Sequence, residues 1–166
     1  MHELVAPLAL SAILVAATCV IQIAGLAVLI WIMRARVHRI APLRRFLHQS
    51  GLILVVVLGL FAIHAVQIWI YAFVYLALGE FETVEAALYF STSSFTTVGY
   101  GEIFIETRWR VLAAIESANG FLVLGWSTVF LISVISRLRS VEIDWLEARS
   151  EPDLWRDASN RNEDRG

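Results

Sequence analysis

The chain has 166 residues, of which 58% are hydrophobic and 17% charged, and its mean hydropathy is +0.70. A single soluble domain of this length could not bury so much apolar surface, which excludes a soluble enzyme. The net charge of −2 gives no basic excess for a nucleic-acid partner. The one cysteine, Cys19, allows neither an intrachain disulfide nor a zinc cluster, so we interpret it as a packing residue.

The first predicted element is an apolar helix over residues 4–33. This run contains no charged residue and is long enough, as a helix, to cross a hydrocarbon core of about 30 Å. It is too long for a signal-peptide core and no basic residue precedes it, so we interpret it as a retained transmembrane helix. Its polar residues are Ser11, Thr18 and Gln22. We expect it to pack outside the second helix of its own or a neighbouring subunit and assign it no role in conduction.

A basic connector follows at residues 34–48. It contains no acidic residue and five arginines, Arg34, Arg36, Arg39, Arg44 and Arg45. The positive-inside rule predicts that this connector is cytoplasmic. Clustered arginines at a membrane surface also favour anionic lipid headgroups, which we expect the range Arg34–Arg45 to contact.

The second predicted transmembrane helix covers residues 49–79. His64 and Gln67 lie near its middle, three residues apart, and therefore share a face. One interpretation makes His64 a proton switch near neutral pH. The other, which the packing of membrane helices favours, is a satisfied interhelical hydrogen bond.

A short helix is predicted over residues 82–95, between the second and third spans. Thr83 is a suitable N-cap, and Glu82 and Glu85 lie near the positive end of the helix dipole. The segment around this helix is acidic, which is consistent with a position outside the membrane.

The third predicted span covers residues 110–137 and is interrupted by one charge, Glu116. Arg137 and Arg139 follow it, so this end is predicted to be cytoplasmic and the N-terminus to lie outside. The tail at 138–166 is polar, and we predict a short amphipathic extension as far as Pro152 with disorder in the last dozen residues.

The residues most informative about chemistry are Thr97-Val98-Gly99-Tyr100-Gly101, directly after the short helix. The two glycines permit backbone angles that turn successive carbonyls toward one axis. Several such strands around an axis would replace the water shell of a potassium ion, with the Thr97 hydroxyl at the inner end. Val98 and Tyr100 would point away from the axis and brace the strand. Non-helical backbone at membrane depth is tolerated where it lines a pore or is buried in protein.

The segment at 87–102 strongly resembles the pore region of tetrameric potassium channels, which consists of an outer helix, a pore loop and an inner helix. The resemblance covers roughly residues 52–139, and the five residues of the filter match outright. It implies an all-α integral membrane protein with three transmembrane helices, a reentrant pore helix and an extended selectivity filter at 96–102. Because one chain supplies one filter strand, it also implies a homotetramer.

The resemblance assigns roles to individual residues. The carbonyls of Thr97, Val98, Gly99 and Tyr100 would coordinate potassium, with Gly101 completing the filter backbone. Gly120 falls at a common hinge position and Gly125 at a commonly small one. The residues expected to line the cavity and the inner constriction are Phe121, Leu124, Thr128, Ile132 and Ser136.

Residues behind the filter depart from the family pattern. Phe90 stands where many members have Trp, Ser93 where some have a carboxylate, and Glu102 where Asp is usual. Glu116 is predicted to hydrogen-bond Ser93, Ser94 or a neighbouring backbone N–H behind the filter, the alternative being that it reaches water at the outer face. The residues expected to support the filter are Tyr89, Ser93, Ser94, Glu102 and Glu116.

The sequence therefore predicts a subunit of a potassium-selective channel in the plasma or inner membrane, with K⁺ as permeant ion and with no cofactor, no enzymatic activity and no nucleic-acid partner. Two alternatives stay open. One is a less selective or partner-dependent cation pore, and the other is a non-conducting membrane subunit that modulates a partner.

Overall fold

The computed structural model describes the backbone of residues 2–36, 45–103, 105 and 107–163, and side chains at 4–35, 51–103, 105 and 107–137. Throughout this part of the chain the regular elements are helical. They are α1 (His2–Arg36), α2 (Arg45–Ala77), α3 (Val84–Phe95), a 3-10 turn (Thr107–Trp109) and α4 (Arg110–Glu163). Three helical stretches are long and apolar enough to span a membrane: Leu4–Ala35, Gly51–Ala77 and Thr107–Arg137. The predicted all-α fold with three transmembrane helices is confirmed.

Helices α1 and α2 pack through small residues placed opposite large ones. Gly25 of α1 faces Ile63, and Gly59 of α2 faces Leu29, so that a Cβ at either glycine would overlap the opposing side chain. Small residues at these crossing points let the two backbones approach closely, and such contact holds helices together where lipid offers no hydrophobic driving force.

The polar residues of α1 face the interior. Ser11, Thr18 and Gln22 are all fully buried, and Gln22 Nε2 donates to Ser127 Oγ of α4 at 2.8 Å. Asn119 Nδ2 of α4 donates to Thr18 Oγ1, also at 2.8 Å. Helix α1 therefore contacts α4 as well as the second helix, against which it was expected to pack.

Helix α3 begins after its predicted cap. Thr83 has an extended backbone (φ −124°, ψ 147°), and its Oγ1 accepts a hydrogen bond from Ala86 N at 3.2 Å. Since an N-cap lies outside the helix, the first helical residue is Val84 rather than the predicted Glu82. The buried face of α3 recurs at a spacing of four residues and consists of Ala87, Ser91 and Phe95.

The apolar core surrounds the C-terminal end of α3. Phe95 is fully buried there, with its ring 6.4 Å from that of Tyr71 and 6.2 Å from the His64 imidazole. The buried residues of this cluster come from all four helices and the segment before α4: Leu14, Tyr71, Tyr75, Phe95, Ile105, Trp109, Leu112 and Val123. This packing fixes the position of α3 and of the strand that leaves it.

The chain divides into two compact units, residues 1–129 and 130–166, and all contacts named above belong to the first. Helix α4 ends at Glu163, past Pro152. The disorder predicted for the last dozen residues stays a prediction. Residues 37–44 of the predicted basic connector lie outside the described residues.

Candidate functional site

The extended segment after α3, residues 97–101, has φ angles that alternate in sign, and it is called the strand below although it belongs to no sheet. Thr97, Gly99 and Gly101 have φ values of 61°, 55° and 73°, and among the described non-glycine residues Thr97 alone has positive φ. In a regular strand successive peptide groups point to opposite sides, whereas alternation of left- and right-handed residues turns them the same way. The glycines identify two of these three positions in the sequence, but nothing in the sequence indicates that Thr97 takes a left-handed conformation.

The strand is fastened to α3 by its N–H groups. Four consecutive amides donate back to the last turn of the helix, where Ser93 offers both its carbonyl and its hydroxyl oxygen. The bonds are Thr97 N to Ser94 O at 3.0 Å, Val98 N to Ser93 O at 3.0 Å, Gly99 N to Ser93 O at 3.2 Å and Tyr100 N to Ser93 Oγ at 3.3 Å. With the donors engaged on one side, the carbonyls of the strand are left available on the other.

Tyr89 and Glu102 bracket the outer end of the strand. The Tyr89 ring stacks on Tyr100 with centroids 6.4 Å apart and 20° between planes, and its hydroxyl donates to Glu102 Oε2 at 3.2 Å. Desolvation and the hydrogen bond to Glu102 raise the pKa of Tyr89 above its ordinary value, so it remains a neutral donor. The Glu102 side chain is thus held by a phenol of α3.

Glu116 is fully buried behind α3. Its Oε2 accepts a hydrogen bond from the Tyr75 hydroxyl at 2.6 Å, and its Oε1 lies 2.6 Å from Ser91 Oγ. The sequence prediction of a contact with Ser93 or Ser94 is therefore corrected to Ser91, which lies on the buried face of α3. The alternative in which Glu116 reaches outer-face water is also wrong, because its exposure is 0%.

Phe90 lies in an aromatic cluster at the back of α3. Its ring packs edge-on against Tyr75, with centroids 5.2 Å apart, and against Phe81 at the same distance. In the potassium channel family that the sequence resembles, Trp is common at this position. Here Phe90 packs against Tyr75 and Phe81 and has no hydrogen-bond donor.

The inner helix touches the end of α3 at Gly120. A Cβ at this position would overlap the carbonyl oxygen of Phe95. Helix α4 runs on through both Gly120 and Gly125, and Gly125 has no atom near its Cβ position within the described part of the chain. Gly120 is thus a close-contact position in this structure, and its predicted role as a hinge stays a prediction.

The residues predicted to line a cavity are mostly exposed in the single chain. Phe121 and Thr128 are exposed in the first unit, where Leu124 packs partly against the core, and Ile132 and Ser136 are exposed in the second. Their position in a cavity stays a prediction.

A buried polar network joins α1, α2 and α4. Gln67 lies at its centre and donates to Gln22 Oε1 at 3.2 Å and to the Thr18 carbonyl at 3.1 Å. His64 Nδ1 pairs with Gln67 Oε1 at 3.2 Å, and Asn119 Nδ2 also donates to the Tyr71 hydroxyl at 3.3 Å. His64 thus has its partner on its own helix, and Gln67 makes the interhelical bonds. The sequence prediction missed Asn119 and Ser127 as members of this network.

The geometry defines a class of protein: a multi-pass helical membrane protein with a short helix and a loop of alternating backbone angles between its last two spans. Residues 52–137 match the model of the ion channel family, and the chain belongs to that family. No curated protein and no solved structure matches the chain.

Proposed function

We propose that the chain is a potassium-selective channel subunit that conducts K⁺ passively through a filter made by four copies of residues 97–101. The observation that carries this proposal is the alternating positive φ at Thr97, Gly99 and Gly101. A backbone of this kind presents a row of carbonyl oxygens, which are the ligands that replace the hydration shell of K⁺ in filters. Membership of the ion channel family supports the transport of an ion.

Exposed apolar surface supports assembly of several chains. In the single chain Val98 and Tyr100 of the filter strand are 52% and 69% exposed, and Phe121 of α4 is 68% exposed. A strand at membrane depth needs protein or a pore on every side. A closed ring of four chains would cover these side chains and place four strands around one axis.

The proposed orientation has the N-terminus outside and the C-terminus in the cytoplasm of the cell membrane, with the arginines at 34–45 against anionic headgroups. The excess of arginine there and at the end of the third span supports it. Thiol-reactive labelling of single cysteines placed at residues 2 and 160 of a Cys19→Ser background would test it, the first being labelled from outside and the second from inside.

Bi-ionic reversal potentials measured on the purified protein in planar bilayers test the function directly. With K⁺ on one side and Na⁺ on the other, we expect a potential close to that of a K⁺ electrode, and barium should block the current. A reversal potential near zero would favour the less selective cation pore, and no current at any voltage would favour a non-conducting subunit.

The matched pair of variants for this experiment is Gly99→Ala and Gly51→Ala. Gly99 has positive φ, which costs an L-residue about 1–2 kcal/mol, whereas Gly51 lies in a regular helix with no atom near its Cβ position. We expect Gly99→Ala to abolish selective K⁺ current and Gly51→Ala to leave it unchanged. Equal selectivity in both variants would contradict the assignment of the filter.

A further inference from the structure

The protonation of Glu116 can be deduced from a count of hydrogens around Ser91. Ser91 Oγ lies 2.6 Å from Glu116 Oε1 and 3.0 Å from the carbonyl oxygen of Ile68 in α2. A serine hydroxyl has one hydrogen, and a backbone carbonyl can only accept. One hydrogen cannot serve both contacts, and both are satisfied together only when Ser91 donates to Ile68 and accepts from Glu116.

An ionised Glu116 would leave one of these two contacts without a hydrogen. The single Ser91 hydrogen would then lie either at Glu116 Oε1 at 2.6 Å or at Ile68 O at 3.0 Å, and the other pair of oxygens would face each other with lone pairs only. The other contact, from the Tyr75 hydroxyl to Oε2, supplies one neutral donor. A carboxylate with no exposure to water and no cation among these partners would also carry a large desolvation cost.

We propose that Glu116 is a neutral carboxylic acid whose proton is donated to Ser91 Oγ, which makes it the positioning residue that fixes α3 between α2 and α4. Each contact then has one donor and one acceptor: Tyr75 to Glu116, Glu116 to Ser91, and Ser91 to Ile68. This chain of bonds joins three helices behind the segment from which the filter strand leaves. The positioning role deepens the proposed function, while the assignment of the proton rests on geometry alone.

Infrared difference spectroscopy of the lipid-reconstituted protein tests the proton. At neutral pH we expect a carbonyl stretching band of a protonated carboxylic acid that shifts in D₂O and is lost in Glu116→Gln. The matched control is Glu102→Gln, which removes an exposed carboxyl group and should leave the band in place. Absence of the band from the wild type, or its survival in Glu116→Gln, would overturn the assignment whether or not the protein conducts.

Two substitutions separate the neutral acid from a required negative charge. The amide of Glu116→Gln can still accept from Tyr75 and donate to Ser91, whereas Glu116→Leu can do neither. We expect the leucine variant to lose K⁺-over-Na⁺ selectivity by about tenfold or more, and the glutamine variant to retain most of it. Equal losses in the two variants would contradict the positioning role of a neutral acid.

The pH dependence of stability provides a third test. A glutamate that is neutral in the folded chain and ionised in the unfolded chain lowers stability as pH rises above the ordinary glutamate pKa of about 4.3, so thermal stability of the wild type should fall from that pH upward relative to that of Glu116→Gln. The other titratable groups that face Glu116 are Tyr75 and Tyr71 on α2, while α3 contributes the hydroxyl of Ser91. Both tyrosines are present in both proteins, so the difference between the two profiles reports Glu116. Superimposable profiles would count against the proposal.

Discussion

Gly120 lets α4 contact α3 because it has no side chain. A Cβ there would overlap the carbonyl oxygen of Phe95, the last residue of α3, so the two backbones touch where the helix ends. Protein interiors respond to even one added methyl group, because close-packed atoms have little room to move. A backbone oxygen at a buried helix end has less freedom than the tip of a side chain.

Gly120→Ala should therefore destabilise the folded chain by about 1–3 kcal/mol, since the new methyl group must displace α3 or α4. The control is Gly125→Ala on the same helix, where the Cβ position is open and alanine improves helix propensity. Denaturant unfolding in detergent micelles measures both. A pure hinge role at Gly120 predicts altered gating with unchanged stability, and this result would contradict the contact.

At the scale of elements, the polar network couples α1 to the inner helix. Two of its hydrogen bonds, from Asn119 to Thr18 and from Gln22 to Ser127, join α1 to α4 on either side of Gly120 and Gly125. Hydrogen bonds between membrane helices contribute about 0.6 kcal/mol each on average. If α4 moves within this unit, either these two hydrogen bonds break or α1 moves together with α4.

A double-mutant cycle on Gln22→Leu and Ser127→Ala measures that coupling. We expect an interaction free energy of about 0.5–1.5 kcal/mol, because the two side chains bond each other directly. The control cycle pairs Ser127→Ala with Ser11→Ala, whose hydroxyl bonds Pro7 of its own helix, and it should be additive. Additivity in both cycles would show that α1 and α4 are energetically independent.

The helices and the unusual backbone at residues 97–101 were predictable from sequence because their determinants are local. Uncharged runs define the spans, and Gly99 and Gly101 mark two of the three positions with positive φ. The partner of Glu116 was not predictable, since Ser91, Ser93 and Ser94 lie within one turn and only the rotation of α3 decides among them. The role of α1 was missed for the same reason: three polar residues in an apolar helix do not show which neighbours they meet.

For the whole molecule, an ion bound between chains should act as a ligand of the assembled state. A ligand that binds only the native form raises its stability in proportion to the logarithm of its concentration. The proposed filter has no such site in a single chain, because its strand is exposed there and supplies one side of the cage.

Replacing K⁺ by Na⁺ should accordingly lower the temperature at which the purified oligomer dissociates, and native mass spectrometry should show four chains before that transition. We expect each tenfold rise in K⁺ to stabilise the assembly by about 1.4 kcal/mol per bound ion near saturation. In Gly99→Ala the dependence on K⁺ should disappear. A dissociation temperature indifferent to the cation would argue against ion binding between chains.

The buried amides of Gln22 and Gln67 have a consequence for biosynthesis. Each helix enters the bilayer before its partners are complete, and an unmatched amide in hydrocarbon is costly. The pair can form as soon as α2 follows α1, but Gln22 Nε2 meets Ser127 only after α4 is made. In a nascent chain that stalls before α4, Gln22 Nε2 therefore lacks its Ser127 partner. An unpaired amide of this kind within the membrane would distinguish an unfinished subunit from a finished one.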